Sequence, residues 1–199
     1  MANGYNDDNV SFGSPKVTGV FYTAPYGTKL PTDATTALDA AFISNGRVGE
    51  KGITNAIKTD SSEIKDMSGS TVLTQITGYS ETYKMVLIEF MSAQAAKTAY
   101  GDDAVTVDAT AKSFAVTHAM PSGTFSAVVE LALNGGGFDR VVIPKVTRSE
   151  LGERSMVGTE AMGYDVTLAA NAYAGFTTTG GRVGTSREYI ALPATSTGA

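Results

Sequence analysis

The chain has 199 residues, 42% of them hydrophobic, which suits one domain with a real core. Its formal net charge is −5, which argues against a general grip on nucleic acid, because phosphate binding needs clustered lysine and arginine. The absence of cysteine excludes disulfides, zinc-thiolate sites and thiol catalysis.

Residues 1–14 contain no basic residue and no periodic pattern. Asp7 and Asp8 stand where a signal peptide would need apolar residues, so we expect a soluble protein that is not secreted. No aliphatic run approaches the roughly 20 residues of a membrane span. The segment is either a frayed terminus or an arm that docks its large apolar side chains on a neighbour. Those side chains are Tyr5, Val10 and Phe12.

The next stretch combines a strand, a short helix and a turn. Lys16–Tyr22 is rich in β-branched and aromatic residues, which predicts a strand. Thr32 or Asp33 can cap a short helix that runs through Phe42. Asn45-Gly46 then predicts a turn, because both residue types accept positive φ.

Residues 46–69 form the least regular part of the interior and mix charges of both signs. They fit either a solvated meander or a projecting loop or hairpin whose charges meet a partner. Unstructured stretches of this length are uncommon in compact domains and are usually functional or disordered, which favours the projecting segment. Its charged residues are Arg47, Glu50, Lys51, Lys58, Asp60, Glu63, Lys65 and Asp66.

Two amphipathic strands and one helix follow. Val72–Thr77 and Glu81–Phe90 are predicted to pair through a turn at Gly78-Tyr79. The second strand is apolar on both faces at its centre, which favours a sandwich or an oligomer interior. Residues 92–100 then predict the main helix, with Ser92 as N-cap and Gly101 ending it.

The second half reads as a series of strands. Residues 111–120, 125–133, 139–146 and 164–168 alternate or are β-rich, and Asn134–Gly137 predicts a tight hairpin. Residues 176–192 fit either a last strand or an extended arm. Pro144 cannot donate to a ladder, so it should lie at an edge or a bulge. The predicted fold is mainly β, an antiparallel sandwich or incomplete barrel with one main helix. One domain spans 15–192, and 193–199 forms a flexible tail.

The sequence offers no enzyme signature and no cofactor motif. A Ser-His-Asp triad would need His118, the one histidine, which strand alternation places among apolar neighbours as a partly buried side chain. Asp7-Asp8 and Asp102-Asp103 are adjacent pairs that do not face one site, and residues 6–9 lack the alternating ligands of a calcium loop. The glycine-rich segments do not match a phosphate loop. We therefore expect no enzyme, no cofactor and no metal, and assembly remains as the role.

Three passages carry a resemblance to a known family. They are TAPYGTKLPTDATTALDAAFISNGRVGEKGIT (23–54), GSTVLTQITGYSETYKMVLIEF (69–90) and VLIEFMSAQAAKTAYGDDAVTV (86–107). Together they cover just over a third of the chain, and they resemble the major tail tube proteins of long-tailed, non-contractile phages, especially those of actinobacteria.

The resemblance implies hexameric rings that stack into a hollow tube, with strands of each subunit lining a lumen through which DNA passes without specific binding. It implies virion location after assembly in the host cytoplasm. The implied partners are other copies of the chain, a tape measure protein, a tail terminator and baseplate or distal tail proteins. The N-terminal arm and residues 46–69 would then join rings.

Easy passage of DNA favours a lumen with carboxylates rather than lysine and arginine. We predict that Glu130, Asp139 or Asp165 supplies this lumen charge. The alternative from another class is a monomeric β-sandwich binding module, for carbohydrate or a surface, which would need exposed aromatic residues along a groove. A hydrolase that depends on His118 ranks third.

Overall fold

A computed structural model describes residues 10–154, 156–159 and 161–193. Within them the chain forms many strands and one α-helix, α1 (Ala93–Tyr100), as the sequence predicts. The strands are β1 (Ser14–Pro15), β2 (Phe21–Pro25), β3 (Ile43–Ser44), β4 (Thr54–Lys65), β5 (Thr71–Leu87), β6 (Val105–Val107), β7 (Phe114–Val116), β8 (Phe125–Ala132), β9 (Phe138–Leu151), β10 (Tyr164–Ala170), β11 (Tyr173–Thr177), β12 (Val183–Gly184) and β13 (Arg187–Ala191).

Nine strands form one antiparallel sheet in the order β3-β2-β8-β9-β10-β5-β4. The remaining two members, β1 and β13, pair with β8 and β9. The order ends at β3 and β4, so the described sheet is open rather than a closed barrel. The predicted mainly β, sandwich-like fold is therefore confirmed. Two small ribbons, β6–β7 and β11–β12, lie outside the main sheet.

The long strand β9 pairs along one of its edges with two different strands in succession. Its first half pairs with β13 and its second half with β10. Pro144 lies between these two ladders, at a register shift in the pairing with β8, where Ser126 donates a hydrogen bond to its carbonyl (2.7 Å). A residue without an N–H is tolerated at such a place, so the prediction for Pro144 is confirmed.

The main core lies between one face of the sheet and α1. Tyr83, Met85 and Leu87 of β5 pack there with buried residues of β8, β9 and β10. The helix contributes alanines, whose small side chains let its backbone approach the sheet. Ser92 accepts a hydrogen bond from the amide of Ala95, which confirms it as the N-cap.

A second core covers the opposite face of β2, β8 and β9. Tyr22, Val128 and Val142 meet Phe42 from the loop after β2 and Phe176 from β11. The strands covered on both faces are therefore β2, β8 and β9. Within the subunit the other face of β5 is not covered, because Lys84 is exposed there. That this face lies in the interior of an oligomer stays a prediction.

Two local predictions fail for identifiable reasons. Gly78-Tyr79 forms no turn, because β5 is continuous and pairs with β4. At Gly78 a Cβ atom would lie 2.6 Å from the Asp60 carboxylate, so this glycine allows close cross-strand approach. No helix forms over 32–42. Asp33 does accept the amides of Thr35 and Thr36, but its own carbonyl, which a helix would use, accepts a hydrogen bond from Arg140 (2.7 Å).

Candidate functional site

The β4–β5 hairpin projects from the body of the subunit. The ladder between β5 and β10 ends at the pair of Ala170 and Glu81, whereas the ladder between β4 and β5 continues to Lys65 and Thr71. At about 3.3 Å per residue, the strands extend about 30 Å past the sheet. No residue from Asp60 to Gly78 is buried. The predicted projecting segment therefore has the form of a two-stranded ribbon.

The tip of the hairpin is a hydrogen-bonded turn. Asp66 Oδ1 accepts hydrogen bonds from Ser68 N (2.9 Å), Ser68 Oγ (2.6 Å) and Ser70 N (2.9 Å). These bonds, led by the Ser68 hydroxyl, hold the pKa of Asp66 below its usual value, so its carboxylate stays charged. Gly69 supplies the left-handed residue of the turn (φ 87°). Met67 is thereby presented entirely to solvent.

The hairpin exposes apolar side chains on both of its faces. The pairing places Ile64 opposite Leu73 on one face, and Ile76 opposite Ser61 on the other. An isolated two-stranded ribbon is marginally stable in water, so this much exposed apolar surface indicates a partner. The exposed apolar residues are Ile57, Ile64, Met67, Val72, Leu73, Ile76 and Tyr79.

The eight charged residues predicted for the inter-ring contact divide between the hairpin and its base. Lys58, Asp60, Glu63, Lys65 and Asp66 lie on the hairpin. Arg47 lies before it, where its amide donates to Glu89 (2.9 Å), and Glu50 and Lys51 line the cleft described below. Their contact with another ring stays a prediction. The sequence reasoning predicted Val72–Thr77 as a strand but paired it with Glu81–Phe90, and so it missed that its partner is β4.

The predicted N-terminal arm is described only in part. Tyr5 lies outside the described residues. Val10 and Phe12 are 69% and 74% exposed. Between them, Ser11 Oγ accepts a hydrogen bond from the amide of Asn134 (2.9 Å), which ties this segment to the turn between β8 and β9. Docking of Val10 and Phe12 on a neighbour stays a prediction.

The three carboxylates predicted to charge a lumen have different surroundings. Glu130 is buried and pairs with Arg140 and with Lys16 (3.2 Å). Asp165 is partly exposed and pairs with Lys84 (3.4 Å). Asp139 lines a cleft. Of the three, Glu130 is the least able to present charge at any surface. Which of them faces a lumen stays a prediction.

The cleft has a volume of about 830 Å³ and lies between the base of the hairpin and strands β8, β9 and β13. Glu81 is buried at its edge and accepts hydrogen bonds from Asn55 (2.9 Å), Tyr83 (2.7 Å), Ser186 (3.0 Å) and Thr185. Burial alone would raise the pKa of Glu81, but these bonds outweigh it and the pKa is lowered. Glu81 is therefore held as a carboxylate that joins the hairpin to the segment before β13.

Asp139 and Glu188 are paired carboxyl groups in the same cleft. They lie on the adjacent strands β9 and β13, two positions apart in register, which places both side chains on the same face. Burial, the charge of Glu188 and a hydrogen bond to it raise the pKa of Asp139 to about 6. The buried Oδ1 of Asp139 has no hydrogen-bond partner among the described residues. At neutral pH the native state thus holds the Asp139 carboxylate where burial and the neighbouring Glu188 disfavour its negative charge.

Asp139→Asn is expected to stabilise the protein at pH 7.5 and to lose this advantage near pH 4.5. The raised pKa means that the native state binds the proton more tightly, so wild-type stability rises as the pH falls from 6 towards 4. Because the group is partly exposed, we expect about 1 kcal/mol, or about 2–4 °C in Tm. Thermal unfolding across this pH range measures it.

Asp165→Asn is the matched control for this prediction. It breaks the partly exposed pair with Lys84, so it should leave Tm unchanged or slightly lower at neutral pH. A lower Tm for Asp139→Asn than for wild type at pH 7.5 would contradict the account of the carboxyl pair.

The described residues offer little for catalysis. His118 is exposed rather than partly buried, because β7 ends at Val116 before the predicted alternation reaches it. Its ring stacks on Tyr100 at 4.7 Å. Among the described residues no group of three His, Cys, Asp or Glu side chains could hold a metal ion. The same residues include no helix of the length and apolar character that crossing a membrane requires.

Comparison with known proteins identifies the family. A search of curated proteins finds no match. The family model for phage tail tube protein matches residues 3–180. This match spans α1, the hairpin and every strand of the sheet except β13. The chain therefore belongs to the phage tail tube protein family.

Proposed function

We propose that this chain is the subunit of a siphophage tail tube, in which hexameric rings stack into a hollow conduit for the genome. Membership in the tail tube family implies a structural, non-enzymatic component of the virion. The observation that carries the finer proposal is the hairpin, which exposes seven large apolar side chains, all but Ile57 beyond the end of its pairing with β10. Such a surface needs a partner, and in a tube the partner is another copy.

The hairpin and the N-terminal segment are the proposed ring-to-ring contacts. The hairpin edges beyond Glu81 are not paired by other described strands. Unpaired strand edges invite association with another chain, and a specific partner removes that hazard. The mixed charges of the hairpin set the register of the contact, because like charges placed together cost free energy.

The lumen is proposed to lie against the uncovered face of β5 and β10. This face carries Thr82, Lys84, Asp165 and Thr167, all at least partly exposed. Lys84 and Asp165 neutralise each other, so the face binds phosphate weakly. That property suits DNA that must pass without stopping. A lumen lined mostly by lysine and arginine in a tube reconstruction would overturn this part.

The other proposed partners follow from the same role. A tube of defined length needs a tape measure protein, a terminator at one end and distal tail proteins at the other, and assembly would take place in the host cytoplasm. The alternative binding module finds little support, because the aromatic rings lining the cleft are Tyr79 and the buried Tyr83.

Negative-stain electron microscopy of concentrated protein, with its mass in solution, tests the proposal. We expect hollow tubes or six-fold rings. A monomer that forms no particles and binds a defined glycan on an array would favour the binding module instead. Helical reconstruction of the tubes would then identify the lumen face and the ring contacts directly.

A further inference from the structure

A second exposed apolar region lies far from the hairpin. We call it the methionine surface: Met91, Met120, Met156 and Met162, with neighbouring Val157, all exposed. In the chain, each methionine lies within two residues of a member of one cluster of aromatic and cationic side chains. In that cluster Phe90 stacks on Tyr164 (5.2 Å), Tyr100 meets both Tyr164 (5.9 Å) and His118 (4.7 Å), and Arg154 lies over Phe90 (5.4 Å).

The methionine surface and the hairpin tip lie beyond opposite ends of one strand. The tip turn directly precedes Thr71, the first residue of β5, and Met91 follows Leu87, its last residue. With 17 residues at about 3.3 Å each, β5 separates the two regions by about 55 Å. The two apolar regions are therefore at opposite ends of the subunit along this strand.

Exposed apolar side chains concentrate at these two ends. Of the 21 large hydrophobic residues that are exposed in the described part of the chain, seven lie on the hairpin and five on the methionine surface. Single exposed apolar residues are ordinary, whereas concentrations of them mark interaction sites. Two different surfaces at opposite ends give a contact that repeats head to tail, which is the contact that builds filaments.

We propose that the methionine surface of one subunit receives the hairpin tip of a second copy in the next ring. This inference rests on the proposed function and adds to it the surface on which the hairpin docks. Methionine is unbranched and polarisable, so a cluster of it adapts to an inserted side chain. The side chain presented for insertion is Met67, which the tip turn holds fully exposed.

The charges at the two ends also match. Asp66 is held as a carboxylate at the tip, and the bonds of the turn use its Oδ1, which leaves Oδ2 for a donor on the second copy. Arg154 supplies a guanidinium beside the methionine surface, at the face of Phe90. An arginine and a carboxylate brought together there would orient the tip as it inserts.

Because the chain has no cysteine, two introduced thiols can report this contact alone. The variant Met67→Cys/Met91→Cys is assembled into tubes and treated with a short bismaleimide. We expect a ladder of covalent multimers on a denaturing gel, at least tenfold stronger than in either single variant. Mixing the two single variants before assembly should give a covalent dimer and no ladder.

Met67→Cys/Val183→Cys is the matched control. Val183 is exposed but lies on β12, in a ribbon outside the main sheet and 21 residues after Met162 in the chain. Tubes that cross-link this control, or neither pair, would overturn the inference and leave the proposed function standing. Wild-type protein that forms no tubes or rings would overturn the proposed function, and this inference with it. Unfolding temperatures equal to wild type show that the variants are folded.

Discussion

Shortening the β4–β5 hairpin is expected to abolish tube formation and to leave the fold of the subunit intact. The variant replaces Asp60–Gly78 with Asn-Gly, so that the pair Thr59 and Tyr79 flanks a two-residue turn. The segment removed contains no buried residue, so its loss should change Tm by no more than a few degrees. Electron microscopy measures assembly, and thermal unfolding measures the fold.

A second pair of variants separates the length of the hairpin from its chemistry. Ile64→Thr/Leu73→Thr keeps the ribbon and removes one exposed apolar cross-strand pair, so we expect far fewer or shorter tubes. Ser62→Thr/Gln75→Thr changes the neighbouring polar pair on the same face and should assemble like wild type. Tubes of normal length from the shortened variant would refute the assignment of the hairpin to ring contacts.

Arg140→Ala is expected to cause the largest loss of stability. Arg140 is 2% exposed, and it donates to the buried carboxylate of Glu130 through Nε (2.7 Å) and Nη2, and to the carbonyl of Asp33 through Nη1 (2.7 Å). Its removal leaves Glu130 with Lys16 alone and releases the loop that covers the second core. Breaking a buried pair in this way costs about 3 kcal/mol, since one partner remains.

Chemical denaturation of Arg140→Ala and of the double variant Arg140→Met/Glu130→Leu tests this account. The double variant removes both buried charges together, so it should recover most of the lost stability. The expected loss for the single variant corresponds to a fall in Tm of about 6–12 °C. A loss below about 1 kcal/mol, or a double variant less stable than the single one, would contradict this account of the Glu130–Arg140 pair.

The sequence predicts the elements whose signals are local. Helix α1 follows from Ser92, a run of alanines and Gly101, and β8 follows from alternation beside the turn at Asn134. These patterns need only neighbouring residues. The short helix over 32–42 fails because a distant side chain, Arg140, takes the carbonyl of Asp33, and no local pattern reports that contact.

The candidate sites depend more on pairings between distant strands. Glu130 was expected to charge a lumen, yet it lies directly opposite Arg140 across the β8–β9 hairpin. The two residues are nearly equidistant from the Asn134–Gly136 turn, so counting outward from that turn could have identified the pair. No such count connects Asp139 with Glu188, because no single turn joins their strands. Three strands, β10, β11 and β12, lie between β9 and β13 in the chain. The sequence also does not reveal that β5 continues through Gly78, because glycine is a common turn residue.

The continuous strand β5 has a mechanical consequence for a stacked tube. A strand is already close to full extension, so it cannot lengthen under tension as a loop can. Tension applied at the hairpin tip passes along 17 residues of covalent backbone to the opposite end of the subunit. Each subunit is therefore stiff along this direction. In the proposed stack, a tail that bends must do so at the junctions between rings, because there only non-covalent contacts between side chains have to shift.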